Sequence, residues 1–396
     1  MIEFDFESKC YGCRNCENIC PKNAIKMYEN NEGFLMPKID MQKCINCGLC
    51  NKVCPHLNFK NSININQSDW YSSQLNNKEQ LLKSTSGGIF VALAEVFKGQ
   101  NDYICACAWD ENMKAEHIVE QFSDNAIDKM RQSKYVQSDI GKCCVKINEL
   151  LKNGKRIFFV GTPCQVAAIK SFCKNVDEEL YTCALICEGV ASPKVWDLYK
   201  KSLEEKVGSK MKKAFYRNKE IGWDTPVSKY EFCNGRIKKQ LSFTNDLYII
   251  GFLQGVFYRK SCSNCQFKCN GHNADILIGD FWGVKKDLEK KSENKGISAV
   301  AINSAKGKKL FELIKDNIQY DKIDYKYAVK ENRRISESIS INENRSNFFE
   351  NIDTKEINQN IEENVTINKK SKFIKNILYK IKIYGILKRI IRAIKS

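Results

Sequence analysis

The chain has little histidine: only His56, His117 and His272 among 396 residues. Acid–base catalysis built on imidazole, or a histidine-rich metal centre, is therefore hard to assemble. Long apolar runs are missing too, and none approaches the roughly 18 uninterrupted residues of a membrane span. The opening MIEFDFESK is no apolar signal segment, so a cytoplasmic chain is expected rather than a secreted, disulfide-bonded one. Acidic residues are absent from 369–396, where ten Lys and Arg supply most of the net charge of +17. The remainder carries only a modest excess that singles out no partner, so nucleic acid is not an expected ligand.

Cysteine, by contrast, is abundant, with 20 residues. One pattern, C-x2-C-x2-C-x3-C-P, is written twice: Cys10, Cys13, Cys16, Cys20-Pro21 and Cys44, Cys47, Cys50, Cys54-Pro55. This spacing wraps a cubane [4Fe-4S] cluster with three thiolates and sends the fourth to the neighbouring cluster. Cys10, Cys13, Cys16 and Cys54 are then expected to hold one cluster, and Cys44, Cys47, Cys50 and Cys20 the other. Zinc sites use two separated pairs of ligands rather than three thiols at strict intervals before Cys-Pro. The segment is similar to bacterial-type two-cluster ferredoxins, and two short strands near 24–28 and 33–39 complete that expectation.

The polar stretch 58–67 reads as a linker, after which strands and helices alternate. Strands are expected at 103–109, 156–160, 180–186, 276–278 and 298–302. Helices are expected at 88–97, 140–151, from 165, at 193–206 and at 306–318. Such alternation predicts an α/β layer with a largely parallel sheet covered on both faces.

Two strand ends carry chemistry. Gly161-Thr162-Pro163-Cys164-Gln165 turns a buried strand into a helix at the sheet edge where ligands bind, and Cys187-Glu188-Gly189 ends the next strand in the same way. Neighbouring strands would bring the two cysteines together. Cys262 and Cys265 have metal-knuckle spacing, so the four thiolates would complete a third cluster, with Cys269 an alternative ligand. Buried cysteines also serve as small apolar residues. That role fits Cys105, Cys107, Cys143, Cys144, Cys173, Cys183 and Cys233, which lack ligand spacing.

Six motifs in order then resemble the beta-subunit family of coenzyme F420 hydrogenases and dehydrogenases: 84–90 (STSGGIF), 133–138 (SKYVQS), 161–165 (GTPCQ), Cys187-Glu-Gly189 with Ser192-Pro193, Cys262-x2-Cys265, and 275–283 (DILIGDFWG). The resemblance implies a flavin enzyme with FAD near a cluster held by Cys164, Cys187, Cys262 and Cys265. It also implies that Ser86, Gly87, Gly88, Lys134, Tyr135 and Thr162 contact the flavin or its phosphates. Glu188 stands where the family often has histidine. Fusion to a ferredoxin segment resembles bacterial members in polysaccharide-biosynthesis settings. Lys134, Glu188 and Asp280 are the candidate acid–base groups.

The tail at 369–396 places Ile374, Ile377, Ile381, Tyr384, Leu387, Ile391 and Ile394 at helical spacing among its basic residues. That pattern fits an anionic membrane surface or docking on the body. The resulting expectation is an α+β ferredoxin-like N-terminal domain (1–57), a linker (58–67), and an α/β flavin domain with a largely parallel sheet (68–340). A polar linker (341–368) and a C-terminal amphipathic helix (369–396) follow. The expected function is an iron–sulfur flavoprotein oxidoreductase acting on a small organic substrate, supplied by a redox partner protein. A non-catalytic electron-transfer subunit is the alternative. The expected place is the cytoplasm, with the inner face of the membrane as the alternative if the tail binds lipid.

Overall fold

A computed structural model describes residues 2–59, 63–268, 272–283, 292–330 and 332–395. The first domain pairs β1 (Ile25–Glu29) with β2 (Leu35–Ile39) antiparallel, Met27 facing Pro37. Its small core is Ile2, Ile25, Cys16, Cys50 and Cys54. So little apolar material cannot stabilise a domain of this size alone, and thiol-bound groups normally supply the remainder.

The second domain is built on an eight-stranded sheet. Its strands in chain order are β3 (Asp69–Leu75), β4 (Asp102–Trp109), β5 (Ala115–Glu120), β6 (Arg156–Gly161) and β7 (Leu180–Leu185). A separate three-stranded sheet comes next, with β8 (Met211–Asn218), β9 (Val227–Phe232) and β10 (Ile237–Leu241). The large sheet then resumes with β11 (Ile276–Asp280), β12 (Ser298–Ile302) and β13 (Ile318–Ile323). The spatial order is β13-β3-β12-β11-β7-β6-β4-β5, and the central run β11-β7-β6-β4 is parallel. Antiparallel strands extend it on both sides.

Both faces are buried because successive side chains point opposite ways along a strand. Phe159, Cys105, Leu277 and Ala299 enter one core, which the helices Cys143–Lys152 and Pro163–Phe172 cover. Phe158, Ile104, Ile278 and Val300 enter the other, under Ile89–Ala94 and Ala305–Ile314. Of the cysteines expected to be structural, Cys105, Cys143, Cys144, Cys173 and Cys183 are buried here, whereas Cys233 is exposed.

Buried on β5, His117 joins the sheet to the turn that carries Cys164. Its Nε2 lies 3.1 Å from the Val160 carbonyl and must donate, so Nδ1, 3.0 Å away, accepts from the Ser138 hydroxyl. Gln165 in turn donates to that hydroxyl at 2.9 Å. Burial holds the imidazole neutral, lowering its pKa from 6.5 to about 4. The unfolded chain binds the proton first on acidification, so this contribution is complete above pH 6.5 and is lost as pH falls from 6.5 towards 4. In denaturant titrations this histidine's share of the unfolding free energy should therefore be lower by about 1.2 kcal/mol at pH 5.5 than at pH 7. The loss should be smaller in His117→Asn.

The stretch 341–368, expected as a polar linker, folds into the helices Arg345–Glu350 and Ile357–Asn364. Phe348, Ile352, Ile357 and Ile361 join a third core with Trp196, Tyr216 and Tyr248 beside the three-stranded sheet. Polar residues masked this helix pair because its inward asparagines are satisfied locally: Asn360 donates to the Phe348 carbonyl and Asn364 to the Asn360 carbonyl. Part of the stretch expected as the first linker is also anchored, since Ile65 is fully buried and accepts from the Trp70 indole.

The two domains are clamped together. Arg14 makes a bidentate pair with Asp139 at 2.6 and 2.7 Å. Buried Asn15 donates to the carbonyls of Val53 and Ala168, one in each domain. Arg345 grips Glu32, and Arg259 donates to the carbonyls of Cys10 and Leu35.

The tail, expected as one helix, forms two, Lys369–Lys380 and Tyr384–Lys395. The break lies at Lys382, whose φ is +61°, and Gly385 sits inside the second helix. Tyr384 docks on Val227 and Leu241, whereas Phe373, Ile374, Ile381 and Ile386 are exposed. The side chains of Ile391 and Ile394 lie outside the described ones. No helix among the described residues is long and apolar enough to cross a membrane.

Candidate functional site

The two cysteine runs have the same backbone. Gly12 and Asn46, each just before the second cysteine, have φ of +66° and +52°. Arg14 and Gly48, each just after it, have +60° and +72°. These left-handed residues coil the loops so that thiols turn inward. The non-glycine Arg14 is held there by its pairs with Asp139 and Glu17.

Two cavities result, and their lining is crossed. Cys10, Cys13, Cys16 and Cys54 line one, and Cys20, Cys44, Cys47 and Cys50 line the other. Backbone N–H groups of Gly12 and Ala24 point at the sulfurs of Cys10 and Cys20, each at 3.3 Å. Burial pushes the Cys54 thiol up to about 11, and burial with the charges of neighbouring thiols raises Cys13 and Cys16 further. Crowded, buried thiols of this kind become stable anions only around a cationic group. Among the described residues, no group of three or more His, Cys, Asp and Glu side chains is suited to a single metal ion. The four thiols spread around each cavity suit a larger, multi-iron body.

A third cavity, of about 530 Å³, collects Cys164, Cys187, Cys262 and Cys265 from three separate parts of the chain. Thr162 caps the helix Pro163–Phe172 in a capping box with Gln165, which leaves Cys164 in the first turn with its sulfur 3.1 Å from the Thr162 hydroxyl. The parallel register of β6 and β7, Gly161 opposite Ala184, brings Cys187 alongside. Cys262 lies in the 3-10 turn Lys260–Asn264, and Cys265 closes it. Burial raises all four thiols, Cys187 to about 11 and Cys262 to about 12, while the ammonium of Lys268 opposes the rise at Cys187 and Cys265. Glu188 and Thr162 line the same cavity, and Glu188 pairs with Arg334 at 3.1 Å. Cys269 lies outside the described residues.

Lys134 and the turn of Ser86, Gly87 and Gly88, expected at a flavin, bond within the protein. The Lys134 ammonium donates to the carbonyls of Cys107, Lys129, Met130 and Arg131 at 2.8–3.0 Å, closing the end of the helix Asp124–Met130. Its three N–H donors are filled, which leaves none for a phosphate. Ser86 donates to the Ile297 carbonyl and the Gly87 N–H to the Ser298 hydroxyl. Gly87 is a packing residue: an added Cβ would meet the Ser73 carbonyl at 2.3 Å and the Ser298 nitrogen at 2.6 Å. Gly87→Ala should therefore push β3 from β12 and lower unfolding free energy by about 1–3 kcal/mol, as thermal unfolding would record. Gly88, with φ of +79°, caps the short helix Ile89–Ala94.

Tyr135 and Asp280 meet through Arg217, which sequence reasoning missed. Arg217 donates to the Tyr135 hydroxyl at 3.3 Å and to Asp280 at 3.0 Å, and the Trp223 indole donates to the other Asp280 oxygen at 2.6 Å. Trp223 and Trp282 stack at 4.6 Å, and the guanidinium faces the Trp282 ring. Its remaining donors, Nε and Nη2, are buried without a partner. On the loop just beyond β8, Lys219 donates to the carbonyls of Leu81, Ser86 and Lys295. Arg217 lies on β8 itself, whose Lys212, Lys213 and Arg217 hide the strand in one dimension.

Two family models match the chain. Residues 154–326 match the C terminus of the coenzyme F420 hydrogenase/dehydrogenase beta subunit, and residues 9–58 match the 4Fe-4S dicluster domain. No curated protein matches. Among solved structures, a chain of the F420-reducing [NiFe] hydrogenase complex from Methanosarcina barkeri aligns at 18% identity. That alignment covers 67% of this chain and 89% of that one, with a TM-score of 0.44, too loose a likeness to carry an argument. The chain is an iron–sulfur electron-transfer protein, with a 4Fe-4S dicluster domain at residues 9–58 and, at residues 154–326, a stretch similar to the C terminus of the coenzyme F420 hydrogenase/dehydrogenase beta subunit.

Proposed function

We propose that this protein is an iron–sulfur flavoprotein oxidoreductase. The four-thiol sets Cys20/Cys44/Cys47/Cys50, Cys10/Cys13/Cys16/Cys54 and Cys164/Cys187/Cys262/Cys265 each hold a [4Fe-4S] cluster, and electrons pass along them to FAD and a small organic substrate. The observation that carries this reading is Tyr11. It lines both the cavity of Cys10 and that of Cys164, so the two share a wall. The clamp of Arg259 on Cys10 and of Gln137 on the Tyr11 carbonyl keeps that wall rigid.

A flavin, when bound, converts two-electron hydride exchange into single-electron steps. The groups that suit it are the unpartnered donors of Arg217 with Tyr135, Asp280 and the Trp282 face, rather than Lys134 or the Ser-Gly-Gly turn. Glu188 stands at the third cavity with its own side chain 43% exposed beside Arg334, which suits proton exchange with solvent there. The setting in polysaccharide biosynthesis belongs to the same reading. Filled valences at Lys134 and Gly87 favour a second reading, a relay subunit that turns over no organic substrate. Anaerobic reconstitution followed by flavin analysis separates the two: one FAD per chain supports the enzyme, and none removes it.

The tail binds an anionic membrane surface through its ten basic residues and exposed Phe373, Ile374 and Ile386. Sedimentation with anionic vesicles should fall to background when 369–396 is deleted, and should persist if another surface is responsible.

A further inference from the structure

The two dicluster cavities have different neighbours. Around that of Cys10, the second domain holds the backbone: Arg259 takes the carbonyls of Cys10 and Leu35, Gln137 that of Tyr11, and Gln266 that of Pro55. The other cavity is lined by residues from Cys20 to Cys50 of the first domain, and Cys47 is exposed. Beside it, Met41 and Ile45 are 64% and 58% exposed. Lys22, Lys43 and Lys52 stand exposed around them, Lys43 paired with Asp40 at 2.8 Å.

We propose that this face is the docking site of a small acidic one-electron carrier protein, which exchanges electrons with the cluster of Cys20, Cys44, Cys47 and Cys50. The inference rests on the cluster reading above and names its partner. In each encounter the reduced carrier loses one electron and the cluster gains it, and no bond or proton moves. An apolar centre with a charged rim is the composition of a transient interface. A lysine rim steers an acidic partner and makes its on-rate fall with salt. The inner cavity, gripped by the second domain and sharing Tyr11 with the third, is the onward station.

The test uses the full-length, reconstituted protein and follows bleaching of cluster absorbance by stopped flow. The probes are flavodoxin hydroquinone, an acidic one-electron carrier, and dithionite, which needs no docking surface. The triple variant Met41→Glu, Lys43→Glu, Lys52→Glu should lose at least tenfold in the flavodoxin rate, with iron content and the dithionite rate unchanged. The wild-type flavodoxin rate should fall as salt rises. Lys308→Glu with Lys309→Glu, far along the chain, should change it little and so control for net charge. An unchanged flavodoxin rate in the triple variant overturns the proposal, as does a wild type that dithionite reduces but flavodoxin does not. Protein that binds no iron would instead fail the cluster reading, and this proposal with it.

Discussion

Replacing Cys262 by alanine should lower the iron of anaerobically reconstituted protein from about twelve atoms per chain to about eight, three cubanes becoming two. Cys262 lines only the third cavity, so the crossed pair in the first domain keeps all eight of its thiols. The remaining cysteines of that cavity come from a helix start, a strand end and a turn, each held by its own element, so the set loses one of its four corners. Iron analysis with electron paramagnetic resonance of the reduced protein reads the outcome. Cys233→Ala is the control: this exposed cysteine belongs to none of the three sets and should leave the count at about twelve. Twelve atoms retained in Cys262→Ala would sink the third-cluster assignment.

The second large effect concerns Arg259, which is 2% exposed. Its guanidinium donates to the Cys10 carbonyl at 2.6 Å, the Leu35 carbonyl at 2.8 Å and Gln137 at 3.0 Å, and it faces the Phe34 ring. Arg259→Ala strands three half-buried acceptors between the domains, and each charged hydrogen bond of this kind contributes about 1.5–3 kcal/mol. The expected loss is at least about 3 kcal/mol, seen as a lower denaturant midpoint for the visible absorbance of the first domain. Arg259→Lys should recover little of it, because an ammonium cannot reproduce the planar fork. A variant as stable as wild type would mean that the clamp is carried by Arg14, Asn15 and Arg345 instead.

Much of the site was legible because thiol chemistry is written in spacing. The doubled C-x2-C-x2-C-x3-C-P dictated a crossed pair, and the cavities are lined in that crossed order. The position of Cys187 beside Cys164 followed from two strands being neighbours, and β6 and β7 are. Reading failed where a residue's role depends on partners far along the chain. The spacing around Lys134 says nothing of the carbonyl of Cys107, 27 residues back, which its ammonium joins to those of the helix end at 129–131. Arg217 was passed over, although it joins Tyr135 to Asp280 from a strand that charged residues disguised.

The same division holds for the architecture. Strands buried on both faces, such as Arg156–Gly161 and Ser298–Ile302, declare themselves by continuous apolar residues. The amphipathic helices of 341–368 do not, because inward asparagines satisfied by neighbouring carbonyls look like a solvated linker.

By itself, then, the sequence determined that this protein holds iron–sulfur clusters in its first domain and that an α/β sheet follows, because local spacing and periodicity govern both. Only the tertiary structure decided that the two domains lock together through Arg259 and that Tyr11 stands between two cavities. It alone decided which polar groups remain unspent, since hydrogen-bond satisfaction is a property of distant partners.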